Sequence, residues 1–246
     1  MKILLIGAGN MGGAMLPGLG RYDVTVVEAY TPRAEALRAL YPAVAVRETL
    51  PSLDGYVVML AVKPQSLHGM RFSGEAEGVI SILAGTPLAV VRDAIRARAY
   101  IRAMPNIAAL KQKAVTSVTG DVALKETALK ILSSIGRAIW LENEQQLDIA
   151  TGIGGSAPAW LALVAEALAD GAVNLGLPRA VSYEYVAALM DGMGAMLAEH
   201  HPALLKDMVM SPGGTTAAGY ARLEAGGVRD AFIDAMQACY TRTQEM

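Results

Sequence analysis

The 246 residues carry 21 Lys and Arg against 23 Asp and Glu, a formal net charge of −2. With no dense basic run, that balance argues against an electrostatic nucleic-acid binder. Hydrophobic residues make up 53%, enough for a large core and too many for a disordered chain. Three histidines (His68, His200, His201) and one cysteine, Cys239, are too few and too scattered to suggest a metal cluster or an internal disulfide.

Lys2-Ile3-Leu4-Leu5-Ile6 is a nearly continuous apolar run, the pattern of a parallel strand covered on both faces. Gly7-Ala8-Gly9-Asn10-Met11-Gly12 follows at once and opens a helix, in which Pro17 predicts a kink or an early end. Asp23-Val24-Thr25-Val26-Val27-Glu28 reads as a second strand ending in an acid. Strand, glycine turn, helix, strand and acid in that order predict a dinucleotide site. Gly7 makes the tight turn, Gly9 lets the backbone approach the pyrophosphate, and Gly12 lets the helix pack on the strand. Glu28 stands where an acid takes the ribose hydroxyls of NAD, whereas Arg33 would attract the 2′-phosphate of NADP. The two signals oppose each other, so NADPH and NADH both stay open.

Further strands are expected at 55–62, 78–83, 100–104, 114–118 and 138–141, with helices at 32–41, 87–98 and 124–135 between most of them. That alternation predicts a doubly wound, mostly parallel sheet of the Rossmann type over residues 1–145. Its ligand crevice lies at the strands' C-terminal ends. Ala61-Val62-Lys63-Pro64, Ala84-Gly85 and Met104-Pro105-Asn106 are expected to line it beside the glycine loop.

From about residue 145 the apolar residues recur at helical spacing, predicting an all-α domain over 146–246. One helix is expected to end at Gly154-Gly155 and the next to start at Ser156-Ala157-Pro158, with Ser as cap and Pro in the first turn. No apolar run reaches the length of a bilayer span without a charge. The most apolar stretch, 158–177, carries Glu166 and Asp170 and reads as a buried helix of a soluble protein. The helices are apolar over much of their circumference. A homodimer or higher homo-oligomer through these C-terminal helices, with no membrane partner, is the simplest way to cover them. Met1-Lys2 leads straight into a strand with no cleavage signal. Together with a lone cysteine, this gives the expectation of a cytoplasmic protein.

Ser211-Pro212-Gly213-Gly214-Thr215-Thr216 interrupts the helices with turn formers and hydroxyls. Paired glycines let successive N–H groups converge, which suits a carboxylate or phosphate. A dinucleotide site and a small-anion site in one chain point to an oxidoreductase acting on a small acid.

Taken together, the Gly7–Gly12 loop, Ala61-Val62-Lys63-Pro64-Gln65, Met104-Pro105-Asn106, Gly155-Ser156-Ala157-Pro158-Ala159-Trp160, Gly176-Leu177-Pro178, the 211–216 turn and Leu223-Glu224-Ala225-Gly226-Gly227-Val228-Arg229 resemble pyrroline-5-carboxylate reductase over essentially the whole length. Ile107-Ala108 after Asn106 and Ala157 depart from the family pattern, which leaves the path of the loop after Asn106 open. The resemblance implies NADH- or NADPH-dependent reduction of 1-pyrroline-5-carboxylate to L-proline. It implies that the substrate is held by Ser211, Gly213, Gly214, Thr215 and Thr216, that the Thr216 hydroxyl touches the carboxylate or the ring nitrogen, and that Glu199 lies near the ring nitrogen, these two being the catalytic candidates. Cofactor contacts come from Gly7, Ala8, Gly9, Asn10, Met11, Gly12, Glu28, Ala61, Val62, Lys63, Pro64, Ala84, Gly85 and Asn106. No metal is implied, and substrate turn and nicotinamide can come from different subunits. The alternatives are a related imine reductase, a β-hydroxyacid-type dehydrogenase, or a non-catalytic dinucleotide sensor. The hydroxyacid enzyme would want Lys and Asn one helical turn apart, but Lys206 and Asn174 are far apart. The sensor would have no use for the second anion turn.

Overall fold

The computed structural model describes residues 1–245 and divides into two compact units, 1–156 with the chain's end from Tyr240, and 157–239. In the first unit, eight strands form one sheet: β1 (Lys2–Ile6), β2 (Asp23–Val27), β3 (Ala45–Arg47), β4 (Tyr56–Leu60), β5 (Gly78–Ser81), β6 (Tyr100–Met104), β7 (Ala114–Gly120) and β8 (Gly136–Trp140). Their order is β3-β2-β1-β4-β5-β6-β7-β8. Every neighbouring pair is parallel except β6–β7. Side chains alternate across the pleat, so β1 sends Ile3 and Leu5 to one face and Leu4 and Ile6 to the other, and all four are buried.

Helices α1 (Asn10–Leu19) and α4 (Val122–Leu132) cover the first face with Met15, Leu19, Ala128 and Ile131. On the same side, α2 (Thr31–Leu40) contributes Leu37. Helix α3 (Leu88–Ala94) covers the second face with Leu88 and Val91. Continuous apolar strands thus come from two-sided burial.

Pro17 lies inside α1 and the helix runs past it to Leu19. The proline forgoes one hydrogen bond, to the Gly13 carbonyl, and the helix ends two residues later, as an early end predicts. The expected stop at Gly154-Gly155 and Ser cap at Ser156 do not occur. Helix α5 (Glu144–Thr151) passes through a π-turn at Gly152–Ser156 into α6 (Ala157–Asn174) without a break. The wider π-turn lies directly before Pro158, whose ring would clash with a carbonyl of a regular α-turn.

The second unit consists of α6, α7 (Arg179–Glu199), α8 (Pro202–Val209), α9 (Thr215–Ala225) and most of α10 (Val228–Gln244). By length and hydropathy, Glu144–Asn174 could cross a membrane. Few of its side chains are buried within the chain, Ala169 alone in α6. α9 and α10 bury none of their described residues. Trp160, Leu163, Leu168, Leu223 and Phe232 line an apolar groove of about 610 Å³ in this unit.

Candidate active site

The C-terminal ends of β2, β1 and β4 stand side by side and build a cleft of about 370 Å³. Gly7 leaves β1 with φ +90°, a conformation that glycine alone adopts without strain. A Cβ there would stand 2.8 Å from the Ala61 carbonyl oxygen. A Cβ on Gly12 would overlap the Gly7 carbonyl oxygen, so α1 packs on the turn through bare backbone. Gly9 has more space: the one atom near an added Cβ is Arg33 Nη1, at 3.4 Å. Helix α1 then begins with no side-chain cap and no acid in its first turn. The N–H groups of Asn10, Met11 and Gly12 accordingly lack the partners that helix geometry cannot supply, and they suit a phosphate. Close-packed where it turns and bare where it opens, the loop fits a dinucleotide.

Glu28 follows β2 and lines the cleft. Its Oε2 accepts from Ala8 N–H and its Oε1 from Tyr30 N–H, both at 3.0 Å. Of the expected cofactor residues, Gly7, Gly9, Glu28, Ala61, Val62 and Lys63 line this cleft. Asn10, Met11 and Gly12 form the first turn of α1, and Pro64 opens a 3₁₀ turn, Pro64–Gly69. Ala84 and Gly85 follow β5 and Asn106 follows β6, at the same edge of the sheet but outside the lining of the cleft. Asn106 Oδ1 accepts from Val115 N–H at 3.2 Å, and the departure at Ile107-Ala108 becomes a second 3₁₀ turn, Ile107–Lys111.

The cleft is also lined by Ile6, Val27 and Ala29 at the strand ends and by Ser66 and Met70, which escaped the sequence reading because the 3₁₀ turn folds the chain back there. Also unforeseen is an ion-pair cluster behind β6. Arg102, 3% exposed, reaches Glu144 at 3.1 Å and Asp148 at 2.7 Å on α5. Glu144 Oε1 additionally accepts from Leu88 N–H at 3.0 Å, at the start of α3.

In the second unit, the 211–216 turn leads into α9. Gly213 takes φ +70°, and Gly214 N–H donates to Ser211 O at 3.0 Å. Like α1, α9 has a glycine N-cap, no side-chain cap and no acid in its first turn. Its first N–H groups, on Thr215 and Thr216, are open to an anion. Among the described residues, the Thr216 hydroxyl has no hydrogen-bond partner. The far end of α9 is braced: Arg229 pairs with Glu224 and donates to Tyr220 Oη at 2.7 Å. The Arg229 guanidinium and then the Tyr220 hydroxyl hold the Glu224 carboxyl below the usual carboxylate range. Glu199 is exposed and ends α7. Among the described residues no group of three or more His, Cys, Asp and Glu is arranged to hold a metal ion.

Two family models match. Residues 144–246 match "Pyrroline-5-carboxylate reductase dimerisation" and residues 2–85 match "NADP oxidoreductase coenzyme F420-dependent". The pyrroline-5-carboxylate reductase of Synechocystis sp. is 37% identical over 100% of this chain and 98% of its own. The solved pyrroline-5-carboxylate reductase of Coxiella burnetii superposes with TM-score 0.88 at 27% identity, over 99% of this chain and 97% of that one. The Streptococcus pyogenes enzyme gives 0.85 at 25% identity, over 100% and 99%. A glycine-built dinucleotide cleft, a second uncapped helix start behind a Ser-Pro-Gly-Gly turn, and full-length likeness converge: the chain belongs to the pyrroline-5-carboxylate reductase family.

Proposed function

We propose that the chain reduces 1-pyrroline-5-carboxylate to L-proline with hydride from NADH or NADPH, as a cytoplasmic homodimer. The observation that carries this reading is the pair of acid-free, uncapped helix starts, α1 and α9, each entered through a glycine turn. The first suits a pyrophosphate and the second a small carboxylate.

Bound NADH or NADPH supplies the hydride that reduces the imine carbon. On the protein side, Gly7 and Ala8 set the turn, their N–H groups held by Val27 O and Glu28, the open main-chain N–H groups from Gly9 to Gly12 hold the pyrophosphate, and Glu28 faces the adenosine ribose. Ala61 to Pro64, Ala84, Gly85 and Asn106 complete the cofactor's surroundings. Ser211, Gly213 and Gly214 shape the substrate turn, Gly214 with its N–H on Ser211 O, while the N–H groups of Thr215 and Thr216 grip the substrate carboxylate. The Thr216 hydroxyl contacts the carboxylate or the ring nitrogen. Glu199, an anion near that nitrogen, favours its protonated form, in which the imine carbon is already electrophilic. The C=N bond becomes C–N as hydride adds to carbon and the nitrogen keeps its proton, so no nucleophilic side chain is required. Positioning and fixed dipoles provide the acceleration. In this division of labour residues 1–145 serve the dinucleotide, and residues 146–246 serve substrate and dimer.

The test is oxidation of NADH and NADPH by the purified protein with pyrroline-5-carboxylate, beside a piperideine and open-chain keto acids. The five-membered imine acid should be reduced fastest. Thr216→Ala should lower kcat/KM by about tenfold or more, the loss of one hydrogen bond to a charged partner. Its dinucleotide affinity should stay unchanged. A keto acid turned over faster than the imine would overturn the assignment.

A further inference from the structure

We infer that the cleft is built for NADH rather than NADPH, and that Glu28 decides the choice. This rests on the reading of the cleft as a dinucleotide site, and it goes past that reading because it commits to one of two coenzymes.

The carboxylate of Glu28 is held in place by two amides. Ala8 N–H donates to Oε2 and Tyr30 N–H to Oε1, each at 3.0 Å, while the Glu28 N–H is itself tied to Arg47 O at 2.9 Å. One clamp comes from the glycine loop and the other from the residue that caps α2. A carboxylate offers about four acceptor sites, so each oxygen keeps capacity after its amide is served. A ribose diol has two O–H donors and matches that capacity. A 2′-phosphate brings only acceptors and close to two negative charges at this point, and the carboxylate has no proton to give. Rotating Glu28 away would strip Ala8 and Tyr30 of their acceptors, and Ala8 is buried. The clamp therefore makes the negative charge a fixed part of the wall.

Two cations share the cleft, and neither is placed to cancel this. Lys63 follows β4, on the side of β1 away from β2 and Glu28. Arg33 lies in the first turn of α2 and its Nη1 stands over Gly9, 3.4 Å from where a Cβ would be. That is the glycine along which the pyrophosphate must pass. Among the described residues Arg33 forms no ion pair with Glu28. Its guanidinium is free for the pyrophosphate or for an adenine face, groups that both coenzymes possess.

The experiment is direct binding to the intact protein without substrate, by fluorescence titration of NADH and NADPH, for the wild type, Glu28→Ser, Glu28→Gln and Arg33→Ala. Thermal melts establish that each variant is folded. The wild type should bind NADH at least about tenfold more tightly than NADPH, the factor that one unfavourable charged contact produces. Glu28→Ser should remove or reverse that ratio. Glu28→Gln, which keeps the shape and one amide acceptor, should move the ratio the same way if Ser disturbs the loop. Arg33→Ala should weaken both coenzymes by similar factors. Equal or tighter NADPH binding by the wild type, a ratio unmoved in both Glu28 variants, or a loss confined to NADPH in Arg33→Ala would overturn the inference. Failure here is separable from failure of the proposed activity. A protein that prefers NADH yet ignores pyrroline-5-carboxylate keeps this inference and loses the other, and fast NADPH-preferring reduction does the reverse.

Discussion

A methyl group at Gly12 has nowhere to go. The atom it would meet is the Gly7 carbonyl oxygen, and Gly7 is itself pinned by its N–H bond to Val27 O at 2.8 Å. Neither is the end of a flexible side chain, so relief requires α1 to move off the strand. Gly12→Ala should therefore destabilise the protein by about 1–3 kcal/mol, the usual cost of overpacking. It should also weaken NADH and NADPH together, because the same shift displaces the first N–H groups of α1. Chemical denaturation and dinucleotide titration check this. An unchanged midpoint with unchanged affinity would mean that the loop tolerates a side chain at its closest approach. The same glycine was readable from sequence for the same reason. Its spacing from Gly7 and its place after an apolar strand leave close packing as its use, whereas Ser66 and Met70 gave no such signal, since a 3₁₀ turn alone brings them to the cleft.

Among the elements, α5 depends on a charge. Arg102 sits on β6 between the buried Ile101 and Ala103, facing away from them toward Glu144 and Asp148. Among the described residues its Nε has no hydrogen-bond partner, and the guanidinium is held by the two carboxylates. Arg102→Ala would leave Asp148, 16% exposed, and the more open Glu144 without their cation. A loss of about 2–4 kcal/mol is expected, less than for a fully buried pair because water reaches Glu144. Arg102→Met, which refills the space, should recover little if both acids stay, and more when Glu144→Gln and Asp148→Asn accompany it. Equilibrium unfolding of the single and triple variants decides this. No pattern in the sequence announces the cluster, because its members lie 42 and 46 residues apart. The long apolar strands were legible, since two-sided burial writes itself as an uninterrupted run. Strand β3 was not: it has three residues, none fully buried, at the sheet's edge. The helix from α5 into α6 was misread because Gly-Gly-Ser-Ala-Pro has the composition of a stop and a start. The backbone resolves the same residues as a π-turn.

For the whole molecule, the composition of the helical unit is the deciding fact. Leu163 is 65% exposed, Leu168 47% and Ile233 61%, in a region that matches the family's dimerisation model. Surfaces that apolar cost free energy in water at roughly 25 cal/mol per Å², and a second copy is the cover that the matched region names. A thermal midpoint that rises with protein concentration is the first expectation, because association stabilises the folded state by mass action. Leu163→Glu puts a charge into the groove beside Trp160 and Phe232 and should shift sedimentation from dimer toward monomer. The resemblance allows substrate turn and nicotinamide to come from different subunits, so the monomeric variant should lose turnover. Its NADH affinity should hold, since the cleft is lined by residues of the first unit alone. A variant that sediments as a monomer with full turnover would show that one chain carries the complete site. A variant that stays dimeric would remove this groove from the interface.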